Sequence, residues 1–247
     1  MKIGIIGGTG YYKWKGEEMQ IETSYGNVTV FYFKLHGRDV FFLPRHRKKH
    51  KPAHAVNYHA NIEAMKNAGV EAIISINTVG SMKKEIEPGS IFIPDDFIDF
   101  TKRKTTFYDD VAIHIDMSMP FCPVIRKVLV EEAKKKEEIN EGIYVATEGP
   151  RLETKAEIKM LSNFADVVGM TLVPEVILAR EKEICYASIC LVSNYAAGLQ
   201  KSLDVEEIKR MTEEKKGTII EIIEDCIKNL PEKWDCVCKN AIEKGKL

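Results

Sequence analysis

A chain of 247 residues that is 45% hydrophobic and 30% charged has the make-up of a globular protein with a substantial core, as one large α/β domain or two small ones. Its 36 basic and 37 acidic residues nearly cancel, so no overall field favours nucleic acid or an anionic membrane. No apolar run approaches the ~18–20 residues that span a bilayer, and Met1-Lys2-Ile3-Gly4-Ile5-Ile6 is too short for a signal-peptide core, so a cytoplasmic location is expected.

Strand and helix signals alternate along the chain without a linker-like stretch. Lys2–Ile6 predicts a strand, followed by a turn at Gly7-Gly8-Thr9-Gly10. Val28–Leu35 and Val40–Leu43, separated by His36-Gly37-Arg38-Asp39, predict a hairpin. From about Ala53 to Asn67 the apolar residues fall near helical spacing and stop at Gly69. Val70–Asn77 and Ser90–Pro94 read as buried strands, Pro123 to about Lys136 as a helix, and Tyr144–Thr147 as a strand. Thr154-Lys155-Ala156-Glu157 has the spacing of a capping box, opening a helix that runs to Phe164. The run Phe164-Ala165-Asp166-Val167-Val168 then reads as a buried strand, and Ile184–Val192 as another. Asp204-Val205-Glu206-Glu207 repeats the box pattern ahead of a long helix to about Cys226, and the segment from about residue 230 reads as a polar tail. The pattern is one α/β domain over 1–247 with a mixed sheet.

Four segments carry chemistry. Between the strand ending at Val168 and a helix start at Pro174-Glu175, the stretch Gly169-Met170-Thr171 makes a βα junction, where α/β proteins place ligands. Gly7-Gly8-Thr9-Gly10 offers backbone N–H groups to an anion, although a bare Gly-rich turn is more often structural. The basic run Arg45-His46-Arg47-Lys48-Lys49-His50-Lys51 reads first as a solvated loop and next as a nucleic-acid patch, and Pro44 suggests that its first residues are held firmly. Asn77-Thr78-Val79-Gly80-Ser81 ends a buried strand with side-chain donors and a Gly.

The spelling Gly169-Met170-Thr171-Leu172-Val173-Pro174-Glu175-Val176 resembles the trimeric purine nucleoside and methylthioadenosine phosphorylases. Arg45-His46, Val56-Asn57-Tyr58, Gly80-Ser81, Pro88-Gly89, Pro120-Phe121-Cys122-Pro123 and Glu148-Gly149-Pro150-Arg151 extend the resemblance over nearly the whole chain. It implies an α/β domain whose mixed central sheet is partly barrel-like and flanked by helices. It also implies a phosphate site of Thr9, Arg45, His46, Thr78 and Thr171, with Asn77 adjacent and Met170 against the sugar. Phosphate would attack C1′ of a nucleoside while the purine departs, with Asn194, Thr171 and His46 acting on the reacting groups. No metal or organic cofactor is implied, phosphate being a co-substrate. The implied partners are copies of the chain itself, as a trimer or a dimer of trimers, with no nucleic acid and no membrane. A nucleoside-binding sensor on the same fold is the non-enzymatic alternative.

The base edge discriminates within the family. Methylthioadenosine enzymes carry Asp where this chain has Asn194 and Ala196 in Ser193-Asn194-Tyr195-Ala196, and Ser where it has Glu153. An Asn amide can donate to O6 or N7 of a 6-oxopurine, and a Glu carboxylate can accept from N1–H. Glu153 could also merely sit beside a helix N-terminus, where the dipole favours it. At the sugar 5′ end, inosine-using relatives place a His where this chain has Val205, which favours an apolar substituent. His114-Ile115-Asp116-Met117 resembles a segment that reaches the neighbouring subunit's 5′ pocket. Together these imply 5′-methylthioinosine as the preferred substrate, with methylthioadenosine, or inosine and guanosine, as alternatives.

Of six cysteines, Cys122, Cys185, Cys190 and Cys226 fall in apolar or amphipathic segments and read as buried free thiols. Cys236-Val237-Cys238 lies in the polar tail; such a pair occurs in some thermophilic members of the family. Two cysteines do not make a zinc site, so a redox or disulfide role and an incidental pair stay open.

Overall fold

A computed structural model describes residues 1–8, 10–11, 14–46, 51–200, 202 and 205–246, without the side chain of Val205. Thr9 and Asp204 therefore lie outside the described residues. In chain order the elements are β1 (Lys2–Gly7), β2 (Glu17–Ile21), β3 (Val28–Leu35), β4 (Arg38–Pro44), α1 (Tyr58–Asn67), β5 (Ala72–Ser81) and β6 (Ile91–Phe100). They continue with α2 (Pro123–Lys134), β7 (Ile139–Thr147), α3 (Lys155–Leu161), β8 (Val167–Gly169), α4 (Leu172–Glu181), β9 (Cys185–Tyr195), α5 (Val205–Asn229) and α6 (Ala241–Gly245).

Among the described residues, nine strands form one sheet, in the order β2-β3-β4-β1-β5-β8-β7-β6-β9. β9 also pairs with β5, so β5, β8, β7, β6 and β9 close into a five-stranded barrel, and β1, β4, β3 and β2 extend it as an open wing. The partly barrel-like mixed sheet expected of the chain is thus present. β1, β4, β5 and β9 all run parallel to their neighbours in this group, which brings their carboxyl ends to one edge. β8 runs antiparallel to the end of β5, pairing Gly80 with Val168, so the chain after Gly169 turns back toward Thr78 and Asn77.

The core explains the elements. Ile3, Ile5, Ile73, Ile74 and Ile76 are fully buried, as expected of strands covered on both faces. α5 buries Ile219, Ile220, Ile222, Ile223, Cys226 and Ile227, an amphipathic stripe packed with α2 against one side of the sheet. α1 and α4 pack on the other side. Thr154 caps α3, its hydroxyl accepting from Glu157 N while the Glu157 carboxylate accepts from Thr154 N, as the box spacing predicts.

Three expectations need correction. The stretch read as a strand from Phe164 is extended only over Val167–Gly169; Phe164 is 66% exposed, because α3 ends in a turn that carries it to the surface. The helix expected from Ala53 breaks at Val56-Asn57, where the Asn57 side chain accepts from Ala60 N and caps α1. The tail after Pro231 is not simply polar and exposed, because it folds through a 3-10 turn (Val237–Asn240) into α6 and buries Cys238 and Ala241. β2, a short edge strand with mostly exposed residues, carried too little apolar pattern to be read.

Candidate active site

The shared edge of parallel strands opens into a cleft of about 380 Å³, in the range of small-molecule pockets. Gly8 after β1, Arg45 and His46 after β4, Thr78 in β5, Met170 and Thr171 after β8, and Asn194 in β9 line it. Glu153, in the loop before α3, closes one side, and Ile208 of α5 another. Elements scattered from residue 8 to residue 208 therefore meet at one place because four strands end together.

Arg45 is 1% exposed and its fork is mostly engaged. Nε and Nη2 donate to Glu175 Oε1 and Oε2 at 2.7 and 2.9 Å, and Nη1 donates to the Ile76 carbonyl at 2.9 Å. Glu175, fully buried on α4, also accepts from Tyr186 Oη at 2.8 Å. Burial alone would pull the Arg45 guanidinium down in pKa, but Glu175 outweighs it and holds Arg45 above its ordinary value. A guanidinium has five N–H groups, so these three bonds leave one on each Nη, and Arg45 is among the residues that line the cleft. Glu175 was legible only as a helix-start residue. The signal passed over was a lone carboxylate in the apolar run Leu172–Ala179, which has to be paired if it is buried.

His46 is 7% exposed, and its Nδ1 lies 2.7 Å from the Lys51 carbonyl, to which an Nδ1–H donates. Thr78 Oγ1 is buried and has no hydrogen-bond partner among the described residues. A buried hydroxyl without a partner is costly, so a ligand atom at this point of the cleft would relieve it. Thr171 Oγ1 donates to Asn77 Oδ1 at 2.6 Å.

Asn77 was expected beside the phosphate, but its side chain does not line the cleft. It is 1% exposed beneath Thr171, and its Nδ2 donates to Ser188 Oγ at 2.7 Å and to Ser75 Oγ at 3.1 Å. With every Asn77 group engaged, its role is to position Thr171. The same heavy-atom positions accept a turned amide, in which Nδ2 donates to Thr171 and the serine hydroxyls donate to Oδ1. That arrangement frees the Thr171 proton for an anion.

The β8 junction that presents Met170 and Thr171 is braced from a polar loop. Arg103 Nη1 donates to the carbonyls of Met170 (2.6 Å) and Val173 (2.8 Å), and its Nη2 to the Glu148 carbonyl (2.7 Å). No sequence pattern marked Arg103. Gly169 is required there, since a Cβ would fall on the Tyr144 phenol oxygen, which accepts from Thr171 N. Gly149, at φ +68°, leaves room for the Met170 sulfur, which an added Cβ would meet at 2.6 Å.

On β9, Asn194 lines the cleft and is 7% exposed. Its Nδ2 donates once, to the Tyr195 carbonyl at 2.9 Å, and its Oδ1 accepts from Ser193 Oγ at 2.7 Å, leaving the second Nδ2 hydrogen. The Glu153 carboxylate accepts from Thr147 Oγ1 at 2.5 Å, while the α3 N-terminus is served by Thr154 and Glu157. Glu153 borders the cleft, and its carboxylate is not the cap of α3. Ala196 lines the cleft, but Tyr195 does not, because its hydroxyl donates to the Lys84 carbonyl on the outside. His114 is exposed and outside this cleft, its backbone N–H donating to the Gly245 carbonyl at 2.8 Å. Val205 starts α5, and its side chain lies outside the description; Ile208, one turn on, supplies an apolar wall that sequence reading missed.

No helix among the described residues is long and apolar enough to cross a membrane. The family model described as "Phosphorylase superfamily" matches residues 2–228. Among curated proteins, a "Probable S-methyl-5'-thioinosine phosphorylase" of Methanothermobacter thermautotrophicus is 48% identical, covering 97% of this chain and 88% of its own length. An "S-methyl-5'-thioadenosine phosphorylase" of Pyrococcus horikoshii is 43% identical, covering 98% of each. Among solved structures, methylthioadenosine phosphorylase from Schistosoma mansoni in complex with tubercidin superposes with a TM-score of 0.92 at 30% identity, over 99% of this chain and 98% of that one.

Proposed function

Because the chain belongs to the phosphorylase superfamily, we propose that its cleft carries out reversible phosphorolysis of a 6-oxopurine nucleoside, with 5′-methylthioinosine as preferred substrate. The chain is a nucleoside phosphorylase, a pentosyltransferase of purine salvage. The observation that carries the substrate reading is that Glu153 and Asn194 line the same cleft as Arg45, His46, Thr78 and Thr171.

In this reading phosphate sits among the remaining Arg45 N–H groups, His46, the unpartnered Thr78 hydroxyl and Thr171. Its oxygen bonds to C1′ as the C1′–N9 bond breaks, and the bond's electron pair leaves on the purine, which takes up at N7, through solvent, the proton that the phosphate gives up. The phosphate charge and fixed donors stabilise the positive charge that develops on the sugar. Asn194 donates its second Nδ2 hydrogen to O6, and Glu153 accepts from N1–H. Met170 packs against the sugar, and the Val205 end of α5 takes the methylthio group, beside Ile208. A panel of methylthioinosine, methylthioadenosine, inosine, guanosine and adenosine, with and without phosphate, tests this. Methylthioinosine should lead methylthioadenosine in kcat/KM by on the order of 100-fold, only with phosphate present. Equal cleavage of the two would make the chain a methylthioadenosine phosphorylase, and purine binding without phosphate-dependent cleavage would make it a sensor.

Assembly belongs to the same reading. His114 is exposed and off its own cleft, as a residue that completes a neighbour's 5′ pocket would be. Phe100, Leu152 and Met160 are 53, 44 and 49% exposed near Glu153, an apolar surface suited to contact between copies. Sedimentation should show a trimer or a dimer of trimers. A fully active monomer at assay concentration would exclude shared sites.

A further inference from the structure

We propose that Cys122, Cys185, Cys236 and Cys238 form a tetrathiolate site for one thiophilic divalent metal ion, zinc being the expected occupant. The four sulfurs all lie within 4.8 Å of one another, with Cys185 Sγ and Cys236 Sγ 3.3 Å apart. A zinc ion bound to four thiolates at about 2.3 Å sets its sulfurs ~3.8 Å apart, along the edges of a tetrahedron. The cluster is therefore close to the size it needs to hold an ion. Cys122, Cys185 and Cys238 are buried and Cys236 is half-buried, so a bound ion would be screened from water.

Local structure aims the ligands. Cys122 is the N-cap of α2, where the helix dipole favours a thiolate. Cys185 opens β9. Cys236 is extended (φ −165°, ψ 163°), and the 3-10 turn over Val237–Asn240 wraps the chain so that Cys238 faces the same point, while Val237 between them is 43% exposed. Arg180 supplies a cation near Cys238. None of the four is in a disulfide, so one metal ion can be bound by all four at once. Binding needs no oxidant, because each thiol gives its proton to solvent as its sulfur coordinates. Two disulfides would instead remove four hydrogens and would need an oxidant.

The site is remote from the cleft. Cys185 and Asn194 stand near opposite ends of β9, nine residues or about 30 Å apart at ~3.3 Å per residue. The ion would thus be structural, tying the last residues of the chain to α2 and β9. That tail in turn holds the His114 loop, through the bridge of Ile113 with Lys246 and the bond from His114 N to the Gly245 carbonyl.

The test is cobalt titration of the full chain, reduced and stripped by chelator under anaerobic conditions. Co2+ should produce sulfur-to-cobalt charge-transfer absorption and the visible bands of tetrahedral cobalt, saturating at one ion per chain and abolished by zinc. The double variant Cys236→Ser, Cys238→Ser should lose those bands, bind cobalt at least ~100-fold more weakly and keep the same far-UV circular dichroism. Zinc should raise the melting temperature of the stripped wild-type chain and leave that of the double variant unchanged. The proposal is overturned if the reduced wild-type chain gives no thiolate charge transfer with cobalt, or if the double variant binds it equally well. Metal-free protein as isolated, with a mass four hydrogens short, would also overturn it and assign the four cysteines to disulfides.

Discussion

Exchanging Glu175 for Ala should lower stability by about 3–5 kcal/mol, because it strands a buried guanidinium without its counter-charge. For a chain of this size that is a fall in melting temperature of roughly 6–20 °C. Arg45 is fully enclosed, and its side chain meets Glu175 through two bonds of 2.7 and 2.9 Å. Arg45→Ala should cost a similar amount by leaving the Glu175 carboxylate unpaired, and should also cut phosphorolysis at least ~10-fold through loss of a charge-assisted contact of ~1.5–3 kcal/mol. These two effects separate in the double variant Arg45→Met, Glu175→Leu. An apolar pair of similar volume restores much of the stability, since a buried ion pair gains little over good packing once desolvation is counted. Tyr186 then keeps Ser75 as a partner, 2.7 Å away. The phosphate defect should persist in the stable double variant, seen as a raised KM for phosphate. If that variant melts like the wild type and uses phosphate normally, Arg45 is only half of a structural pair and the anion is held by other groups.

The parts of the site that could be read in the sequence are those that end strands. Arg45-His46 after β4, Thr78 in β5, Thr171 after β8 and Asn194 in β9 each follow or close an apolar run, and a parallel sheet carries such ends to one edge. What lies beneath that edge could not be read in the same way. Asn77 sits one residue from Thr78, and strand alternation sends the two side chains to opposite faces, one to Thr171 and the serines and the other to the cleft. Arg103 comes from a loop with no periodicity, and its function exists only through the carbonyls it meets. The barrel closure of β9 on β5, and the meeting of Cys122 and Cys185 with the tail cysteines, are long-range contacts without a local signature. Tyr195 shows the converse. It lies next to Asn194 in a motif that suggests substrate contact, yet the pleat turns its ring outward to the Lys84 carbonyl.

The base preference should rest on two side chains and should move when they are exchanged. Adenine presents an amino donor where hypoxanthine presents O6, and a bare N1 where hypoxanthine carries a proton. Against this chain, adenine would set its N1 lone pair opposite the Glu153 carboxylate, which accepts from Thr147 Oγ1 at 2.5 Å. A site matched to one hydrogen-bonding edge can reject the other by orders of magnitude, which is why the expected ratio of methylthioinosine to methylthioadenosine is on the order of 100. Glu153→Ser removes the repulsion, and Asn194→Asp provides an acceptor for the adenine amino group, so the double variant should bring the ratio down at least ~10-fold. The mutations have different side effects. Asn194→Asp also turns the acceptor now facing Ser193 Oγ into a carboxylate and removes the donor to the Tyr195 carbonyl, so it should lower kcat for both substrates. Glu153→Ser leaves those bonds alone and should act mainly on the ratio. Val205→His is the control at the far end of the nucleoside. It should shift preference toward inosine by only ~1–3 kcal/mol and leave the purine ratio unchanged. If Glu153→Ser leaves the ratio where it was, the carboxylate does not read N1–H, and discrimination between the bases must come from Asn194 or from the shape of the cleft.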